Sequence, residues 1–535
     1  MSNKKEIKKI IFYNGDIITM DDNNKFPEAI LIKDDIIEKV GTKEEIMKFR
    51  DEGTELVDLQ GKTLMPGFID PHSHITAYAQ TMATVSLRDC KSIEEVGDKI
   101  LEYKNNKKIT NEWIIGVGYD NNMLKERRHP NKFDLDSKVS DCPVIISHAS
   151  GHMGVANSKA LEILNINEKT QDEKGGKIGR VEGTEEPNGY LEENSFINRT
   201  GVIANQSIES RKKLLEEAQE DYLKNGITTC QDGLTKKQDW ELLKATAEND
   251  ELKIDVVSYI DIVDNKNIVE ENKKYVKSYQ NKLKIGGYKL ILDGSPQGKT
   301  AWLTKPYEGE KEYRGYPTKT DKEVKEFVRT AVEEDMQLLT HCNGDAAGDQ
   351  LINAYMNIQD TNKVKKTRPV LIHAQTARKD QIERCKELGM IPSYFVTHTY
   401  YWGDIHIKNL GERAYHISPV KTTINLDWIY TFHQDTPVIL PNMLETIWSA
   451  VNRETMSGIT IGEDEKVEVY EALKAITIYA AYQYFEEDTK GSIQEEKKAD
   501  LVVLKENPLK VEKEKIKYIK VLQTWKNGKL LYEMN

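Results

Sequence analysis

Two histidines, His72 and His74, stand one residue apart in the segment GFIDPHSHI, directly after an apolar run. If the segment ends a β-strand, both imidazoles point the same way, because side chains alternate with a period of two residues along a strand. Such a pair is a candidate for binding a divalent metal. The other interpretation is that both histidines are polar residues of a surface loop, and the pair alone leaves both open.

Further side chains of this kind recur at or near the ends of later apolar runs. They are Lys289, His341, His373, His398, His433 and Asp435. If the runs are parallel strands of a barrel, their C-terminal ends converge on one mouth and these residues become neighbours. Imidazoles with one carboxylate suit zinc, manganese or iron. For Asp435 the alternative is a helix cap, and His129, His406 and His416 are interpreted as surface histidines.

The elements that would position these residues alternate along the middle of the chain. Eight apolar runs occur there: TLMPGFIDPHSH, GITTCQDG, LKIDVVSYID, GGYKLILDGS, MQLLTHCNGD, RPVLIHAQ, MIPSYFVTH and YTFHQDTPVIL. Between most of them lies a stretch with apolar residues at helical spacing, such as Val324, Val328 and Val332. This alternation predicts an α/β fold with a parallel sheet, and eight repeats predict a (β/α)8 TIM barrel.

The alternation is interrupted once, between the first and the second run. Residues 75–225 separate them and contain strand-like stretches of their own, EWIIGVGYD and CPVIISHAS. Barrel active sites are built from the loops that follow the strands. We therefore predict an insertion after strand 1, over about residues 76–210, that forms a lid or a wall of the substrate pocket.

Both ends of the chain differ from this middle part and are rich in strands and turns. The pairs Asn14-Gly15, Asp34-Asp35 and Asn527-Gly528 separate apolar runs, which predicts hairpins. We predict that residues 1–64 and 486–535 together form a small β-sandwich domain, and that residues 65–485 form the barrel domain. The alternative is two unrelated β appendages.

The composition excludes several classes of partner. The net charge is -12 and no basic stripe is interleaved with aromatic residues, so neither nucleic acid nor an anionic membrane is expected. Five dispersed cysteines without a CxxC pair indicate neither a disulfide framework nor a zinc ribbon. The N-terminal segment has no apolar signal core, and no apolar run reaches the ~20 residues of a membrane helix. We expect a cytoplasmic protein with a small-molecule substrate.

Motifs spread over nearly the whole chain resemble those of the amidohydrolase superfamily. The resemblance is closest to its long-chain branch, which contains N-substituted formamide deformylase. The motifs are YNGDIITMD, LMPGFIDPHSH, WIIGVGYD, GHMGVANSKAL, PNGYLEEN, LILDGSPQGKTAWL, HCNGDAA, IHAQ, HTYYWGD, QDTPV, AVNRET and KGSIQEEKKADLVVL. Ile372 stands where many relatives have Glu, Gln434 where many have Ser and Glu496 where relatives usually have Gly. The first two departures flank expected ligands and indicate a sub-branch.

The resemblance implies a metal centre of one or two divalent ions, zinc above all. The ligands it implies are His72, His74, Lys289, His341, His373 and Asp435. Lys289 falls on the strand 4 position that is carbamylated by carbon dioxide in binuclear members, where it bridges two metals. An unmodified lysine is a poor ligand because its amine is protonated at neutral pH. The alternative is that Lys289 is an ordinary surface or salt-bridged lysine.

The activity that the resemblance implies is hydrolysis of a carbon–nitrogen bond other than a peptide bond, in an amide, formamide or cyclic amide. In the mechanism that the resemblance implies, a bound metal would activate water for attack on the carbonyl, and Asp435 would carry the proton to the leaving nitrogen. His373 is the second residue expected in the catalytic group. Substrate contacts are expected from His152, Asn157, Asp293, Trp302, His398 and Trp402.

Two other functions stay open at this point. The same metal-binding frame serves mononuclear deaminases and lactonases or other ester hydrolases, because fold and metal site do not fix the substrate. A non-catalytic regulatory relative that keeps its metal is the second alternative. A homodimer is expected only because two-fold dimers are the commonest oligomers.

Overall fold

The protein is described from a computed structural model that covers residues 8–121, 123–148, 153–173, 176–193, 195–196 and 207–534. The chain divides into two compact units, one formed by Met1–Thr76 with Ala218–Asn535 and the other by Ala77–Glu217. Both chain ends thus fall in the same unit as the central sheet. The domain boundaries given above stay predictions.

Eight parallel strands form the central sheet of the first unit, and their order in the sheet follows the order along the chain. We number them β1 Phe68–Ile69, β2 Ile227–Thr235, β3 Asp255–Asp261, β4 Leu283–Ile291, β5 Gln337–Cys342, β6 Val370–His373, β7 Ile391–Tyr394 and β8 Thr431–Phe432. Each of the eight predicted apolar runs overlaps with one of them. The α/β class and the parallel sheet are therefore confirmed.

The segments that follow the two outer strands, β1 and β8, are joined by backbone hydrogen bonds. The N–H of Asp435 donates to the carbonyl of His72 at 3.0 Å, and the N–H of His74 donates to the carbonyl of Thr436 at 2.8 Å. These bonds bring the two histidines of the first strand and the acid of the last strand to one place. Closure of the sheet into a complete barrel stays a prediction.

The sequence explains why strands and helices alternate here. Strands β2 and β3 are buried over almost their whole length, as expected for a parallel sheet covered on both faces. The helix Asp321–Glu333 begins with a capping box, in which Thr320 and Glu323 bond each other's backbone N–H. Its buried residues, including Val324 and Val328, lie three to four positions apart and form one apolar face.

Most of the described helices are short, and many of them follow a strand. The α-helices are Lys43–Met47, Ile75–Thr81, Ile93–Lys107, Lys132–Asp136, Ser158–Ile163, Ile208–Lys224, Lys237–Glu248, Asn267–Glu271, Asp321–Glu333, Asp345–Met356, Thr361–Thr367, Lys379–Leu388, His398–Tyr401, Gly403–Leu410, Val420–Asn425, Met443–Asn452, Val469–Ala475 and Ile478–Gln483. Short 3-10 helices span Lys273–Tyr275, Gly411–His416, Glu463–Glu465 and Lys513–Tyr518. Among the described residues, no helix combines the length and the apolar character needed to cross a bilayer.

The second unit contains a sheet of its own. Its six strands lie in the order Gly176–Arg180, Pro187–Glu193, Met153–Ala156, Val144–His148, Ile114–Tyr119 and Thr84–Ser86. The two strand-like stretches noted in the sequence correspond to Ile114–Tyr119 and Val144–His148. The helix Ile93–Lys107 contributes Val96 and Ile100 to the core of this unit.

Strands from both ends of the chain form two further sheets in the first unit. The four-stranded sheet has the order Ile36–Gly41, Ala29–Lys33, Lys9–Tyr13 and Thr54–Asp58, and the five-stranded sheet has the order Asp16–Ile17, Thr63–Pro66, Leu501–Leu504, Val521–Lys526 and Lys529–Glu533. Side chains of both sheets share one core, in which Phe12 packs edge-on against Trp525. A separate sandwich domain stays a prediction.

Two of the three predicted hairpins are confirmed and one is wrong. Asp34-Asp35 and Asn527-Gly528 each connect an antiparallel pair of strands. Asn14-Gly15 instead connects Lys9–Tyr13 to Asp16–Ile17, which belong to different sheets. A Cβ at Gly15 would lie 2.3 Å from the carbonyl oxygen of Lys62, so the glycine serves a close backbone approach and not a hairpin turn.

A buried network of charged side chains lies at the N-terminal ends of β3 and β4. Its members are Asp255, Lys284, Glu486, Lys490, Asp500 and Lys526, three acids and three bases, which we call the ion-pair network. The Nζ atom of Lys490 lies 2.5 Å from an Asp255 oxygen and 2.8 Å from a Glu486 oxygen. Lys526 belongs to the strand Val521–Lys526 of the five-stranded sheet, so the network connects the central sheet to that sheet.

Candidate metal centre

Three ligand atoms converge beyond the ends of β1 and β8. They belong to His72, His74 and Asp435 and lie within 4.8 Å of one another. The Oδ1 atom of Asp435 is 3.2 Å from Nε2 of His74 and 3.3 Å from Nε2 of His72. His72 is buried, whereas His74 and Asp435 are partly exposed. The loop interpretation of the histidine pair is therefore wrong, and the geometry is suited to a cation.

The orientation of His72 is fixed by a buried amide on β2. Nδ1 of His72 lies 2.6 Å from Oε1 of Gln231, whose Nε2 donates to the carbonyl of Pro71 and to the hydroxyl of Tyr484. Because the amide nitrogen is bound elsewhere, Oε1 must accept the hydrogen of Nδ1. The lone pair of Nε2 is then directed at Asp435, the tautomer needed for ligation. The sequence analysis missed Gln231.

His373 is held by a similar chain of contacts from β7 and β8. Nε2 of His433 lies 3.1 Å from Nδ1 of His373, and Nδ1 of His433 lies 2.8 Å from the hydroxyl of Ser393. Nε2 of His373 is buried without a hydrogen-bond partner and lies 3.9 Å from Oδ2 of Asp435. Burial lowers the pKa of His433 to about 3, so this imidazole stays neutral. A hydrogen on Nδ1 of His373 leaves its unpaired Nε2 as an electron-pair donor.

Lys289 lies on β4 beside the same histidines. Its Nζ atom is 3.1 Å from Nε2 of His72, and the side chain is 1% exposed. Burial lowers the pKa of Lys289 to about 7, although the charge of Asp435 acts in the opposite direction. Among the described residues, no carboxylate lies within 4.0 Å of its amine. The alternative of a surface or salt-bridged lysine is therefore wrong.

His341 lies at the end of β5, next to His373. Its ring centroid lies 4.4 Å from that of His373, and its Nδ1 atom is 3.2 Å from Oδ1 of Asp293. The carboxylate of Asp293 is buried and accepts hydrogen bonds from the backbone N–H groups of Trp302, Asn343 and Gly344. Asp293 thus holds the loops after β4 and β5 together, and the half-buried Trp302 is fixed through its backbone.

His398 and Trp402 lie together after β7. Their ring centroids are 4.7 Å apart, and the His398 ring stacks on that of His406 at 5.3 Å. Nδ1 of His398 lies 3.1 Å from Nε2 of His406. His406 is fully buried, so its interpretation as a surface histidine is wrong. Its burial lowers the pKa of His406 to about 4, which keeps the pair neutral.

The remaining predicted residues lie in the second unit or do not belong to the centre. Asn157 is buried and caps the helix Ser158–Ile163. Its side chain accepts from the N–H groups of Val144 and Ala160 and donates to the carbonyls of Val139 and Cys142. No polar atom of Asn157 remains for a substrate. His152 lies outside the described residues, His129 is half-buried, and His416 is exposed as predicted.

The side chains present fit a divalent metal. The donors are imidazole nitrogens and a carboxylate, which zinc and similar ions accept. The buried, unpartnered Nε2 of His373 has a lone pair without another use. Although burial acts to raise it, the pKa of Asp435 is lowered, chiefly by the hydrogen bond from His74, so the carboxylate is anionic.

Residues 55–532 match the model of the amidohydrolase family. The chain belongs to this family. It is 26% identical to N-substituted formamide deformylase of Arthrobacter pascens, an alignment that covers 99% of each chain. Uncharacterized metal-dependent hydrolases from Pyrococcus furiosus and Pyrococcus horikoshii OT3 superpose with TM-scores of 0.77 and 0.76, at 25% and 24% identity. These superpositions cover 94% and 95% of this chain and 100% and 99% of the relatives.

The membership confirms the resemblance read from the sequence motifs. Like other amidohydrolases, the chain is a hydrolase that acts on carbon–nitrogen bonds. The relatives of known structure are metal-dependent, in agreement with the donor set described above. The donor set and these relatives together support a divalent metal in this chain.

Gln231 offers a test of how His72 is oriented. Replacing Gln231 by leucine removes the acceptor for Nδ1–H of His72 and frees the ring to change tautomer. We expect the dissociation constant for zinc to rise by about 10- to 100-fold. A competition titration against a chromophoric chelator measures it. The matched control is Gln359→Leu at an exposed position, and an unchanged zinc affinity in Gln231→Leu would contradict the assigned role.

Proposed function

We propose that this amidohydrolase hydrolyses the amide bond of a small N-substituted formamide or of another non-peptide amide. The observation that carries the proposal is the convergence of the ligand atoms of His72, His74 and Asp435 within 4.8 Å, beside the buried amine of Lys289. The similarity to N-substituted formamide deformylase suggests the substrate class. Zinc is the ion that this mixture of imidazole and carboxylate donors suits best.

The residues proposed to hold the metal are His72, His74, Lys289, His341, His373 and Asp435. A bound divalent ion supplies Lewis-acid polarisation of the substrate carbonyl and lowers the pKa of water. Gln231 and the His433–Ser393 pair keep His72 and His373 in the tautomers that ligation requires. With these partners fixed, the imidazoles need no reorganisation during the reaction.

Asp435 is proposed as the proton carrier. Its carboxylate is partly exposed and anionic, so it can accept a proton from the attacking water. An amide nitrogen leaves poorly unless it is protonated, and the same carboxyl can deliver the proton to it. His373 is proposed to contribute to catalysis as a ligand through Nε2, which lies 3.9 Å from Oδ2 of Asp435.

Lys289 is proposed to be carbamylated. The neutral amine attacks the carbon of carbon dioxide, the new N–C bond forms, and one proton is released, which leaves an anionic carbamate. Burial favours the neutral amine that this reaction needs. In an electron-density map at high resolution, we expect three additional atoms beyond Nζ, and a bare amine would contradict this part of the proposal.

Substrate selection is proposed for the side chains around the centre. His398 and Trp402 offer an imidazole and an indole packed against Phe395, and Trp302 and Asp293 follow β4. We also propose that the central sheet closes into a (β/α)8 barrel, supported by the backbone bonds between the segments after β1 and β8. The shared core of the two terminal sheets supports the small sandwich domain.

Removal and restoration of the metal tests the proposed function. Dialysis against a strong chelator is expected to abolish hydrolysis of N-substituted formamides, and stoichiometric zinc is expected to restore it. The assay follows formate release, with hydantoins and lactones as comparison substrates. Hydrolysis that persists without metal, or an inert zinc-loaded protein across all amides, would contradict the proposal.

A mononuclear, deaminase-like site is the second candidate. It is favoured by the compactness of the group of His72, His74 and Asp435, which among the described residues includes neither His341 nor His373. Metal analysis per chain separates the two candidates, because two ions require the bridging lysine and one ion does not.

A further inference from the structure

A cavity of about 370 Å³ lies in the first unit, among segments that follow β4 to β8. No predicted metal ligand and no predicted substrate residue lines it. Its wall includes Thr376, three residues after His373, and Asp345, four residues after His341. Residues that line the cavity are thus close in sequence to the proposed metal ligands, but they form a different set of side chains.

The floor of this cavity is apolar and buried. Leu303 and Leu410 are each 1% exposed and belong to one hydrophobic cluster with Ile461. Ala377 and Pro419 add further buried apolar surface. A volume of this size lies at the lower end of the range for small-molecule sites, so the ligand must be small.

The rim of the cavity is cationic. Lys305 is exposed, and within the described part of the chain no carboxylate lies within 4.0 Å of its amine. Among the residues that the structure describes, Arg413 donates only to the backbone carbonyls of Leu410, Lys305 and Pro306, and these neutral acceptors do not compensate its charge. The exposed imidazole of His416 lies on the same rim.

The acids of the cavity do not neutralise these cations. Asp345 accepts from the N–H of Thr304 at 2.8 Å and pairs with Arg378 at 3.1 Å. Glu465 is 8% exposed and accepts from the N–H of Thr422 at 3.0 Å. Glu465 keeps its negative charge, but the cations that line the cavity, Lys305, Arg378, Lys379 and Arg413, outnumber the two acids, so the lining has a net positive charge.

We propose that this cavity binds a small amphipathic anion, with an apolar body on the floor and a carboxylate or phosphate group on the cationic rim. The buried apolar floor would contact the apolar body of the ligand and remove it from water. Arg413 and Lys305 account for the anionic group, since charge-assisted hydrogen bonds to carboxylate and phosphate are among the strongest available. The proposal goes beyond the hydrolysis of amides and does not depend on it.

Calorimetric titration tests the proposal with four probes: benzoate, phenyl phosphate, benzyl alcohol and inorganic phosphate. Benzoate or phenyl phosphate is expected to bind, and benzyl alcohol, which lacks the charge, is expected to bind at least about tenfold more weakly. The tighter of the two anions identifies the headgroup. Inorganic phosphate that binds as tightly as phenyl phosphate would overturn the role of the apolar floor.

Variants locate the binding. Lys305→Met is expected to weaken binding of the anion about tenfold, because it removes a rim charge without changing the buried floor. The control Lys322→Met, at an exposed position of the helix Asp321–Glu333, is expected to bind as the wild type does. Unchanged binding in Lys305→Met, or no binding of either anion at millimolar concentration, would overturn the proposal.

The metal centre could also attract an anion, and a second titration separates the two sites. The titrations are repeated after the metal has been removed by chelation. Binding that persists supports the cavity, because none of its lining residues is a proposed ligand. Binding that disappears with the metal overturns the proposal, whereas it leaves the proposed hydrolytic function intact.

Discussion

Asp435→Asn is expected to lower kcat for amide hydrolysis by about 10²- to 10⁴-fold. Asparagine preserves the shape of the side chain but cannot accept and return a proton. It also removes the negative charge that faces the imidazoles of His72 and His74 at 3.3 and 3.2 Å. The measurement is kcat for an N-substituted formamide, together with the metal content per chain by mass spectrometry.

The metal content decides how an Asp435→Asn result is interpreted. A variant that keeps its metal but loses kcat has lost the proton carrier, and a variant that loses both has lost a ligand. The control is Asp427→Asn, an exposed position just before β8 whose positive φ asparagine also tolerates. A kcat close to that of the wild type, with full metal content, would show that Asp435 is not catalytic.

Lys490→Met is expected to lower the free energy of unfolding by about 3–5 kcal/mol, because it leaves two buried carboxylates without their shared partner. The side chain of Lys490 is 5% exposed and contacts Asp255 and Glu486 at 2.5 and 2.8 Å. Lys526 and Lys284 each retain one contact with these acids, which does not replace the lost charge. Denaturant unfolding of the metal-loaded protein measures the change.

An exposed ion pair is the control for the ion-pair network. Lys498 lies 2.5 Å from Asp35, but both side chains are more than one-third exposed. Lys498→Met is therefore expected to cost no more than about 1 kcal/mol. Equal effects of Lys490→Met and Lys498→Met would show that burial does not strengthen the contribution of the network.

The network also predicts how stability depends on pH. Although burial acts to raise them, the pKa values of Asp255 and Glu486 are lowered by the charges of Lys490 and its neighbours. A carboxyl whose pKa is lower in the folded protein stabilises it above the unfolded value, near 3.8 for Asp and 4.5 for Glu. This stabilisation is lost as the pH falls further, and Lys490→Met should reduce that dependence.

The central sheet could be predicted because each strand carries its own signal. Parallel strands covered on both faces are apolar along their length, and the helices between them repeat apolar residues every three to four positions. The histidine pair at 72 and 74 is likewise a local feature. Position at a strand end then indicated His341, His373 and Asp435 without knowledge of any contact between them.

Contacts between residues that are far apart in the sequence could not be predicted from the local sequence. Gln231 is one polar residue in a buried strand, and nothing in its neighbourhood indicates that it bonds an imidazole 159 positions earlier. The burial of His406 depends on stacking with His398 on a separate helix, so its local sequence looked like that of a surface residue. At Asn14-Gly15 the chain bends, but the two flanking strands belong to different sheets, and this pairing depends on residues far away in the sequence.

The joining of the segments after β1 and β8 has a consequence for the synthesis of the protein. His74 and Asp435 are 361 positions apart, so the ribosome releases the histidines long before the acid. A nascent chain that ends before β8 holds an incomplete set of donors. The five-stranded sheet also cannot form completely before its last three strands, from Leu501 onward, have been synthesised. Metal uptake is therefore expected late, at or after the end of translation.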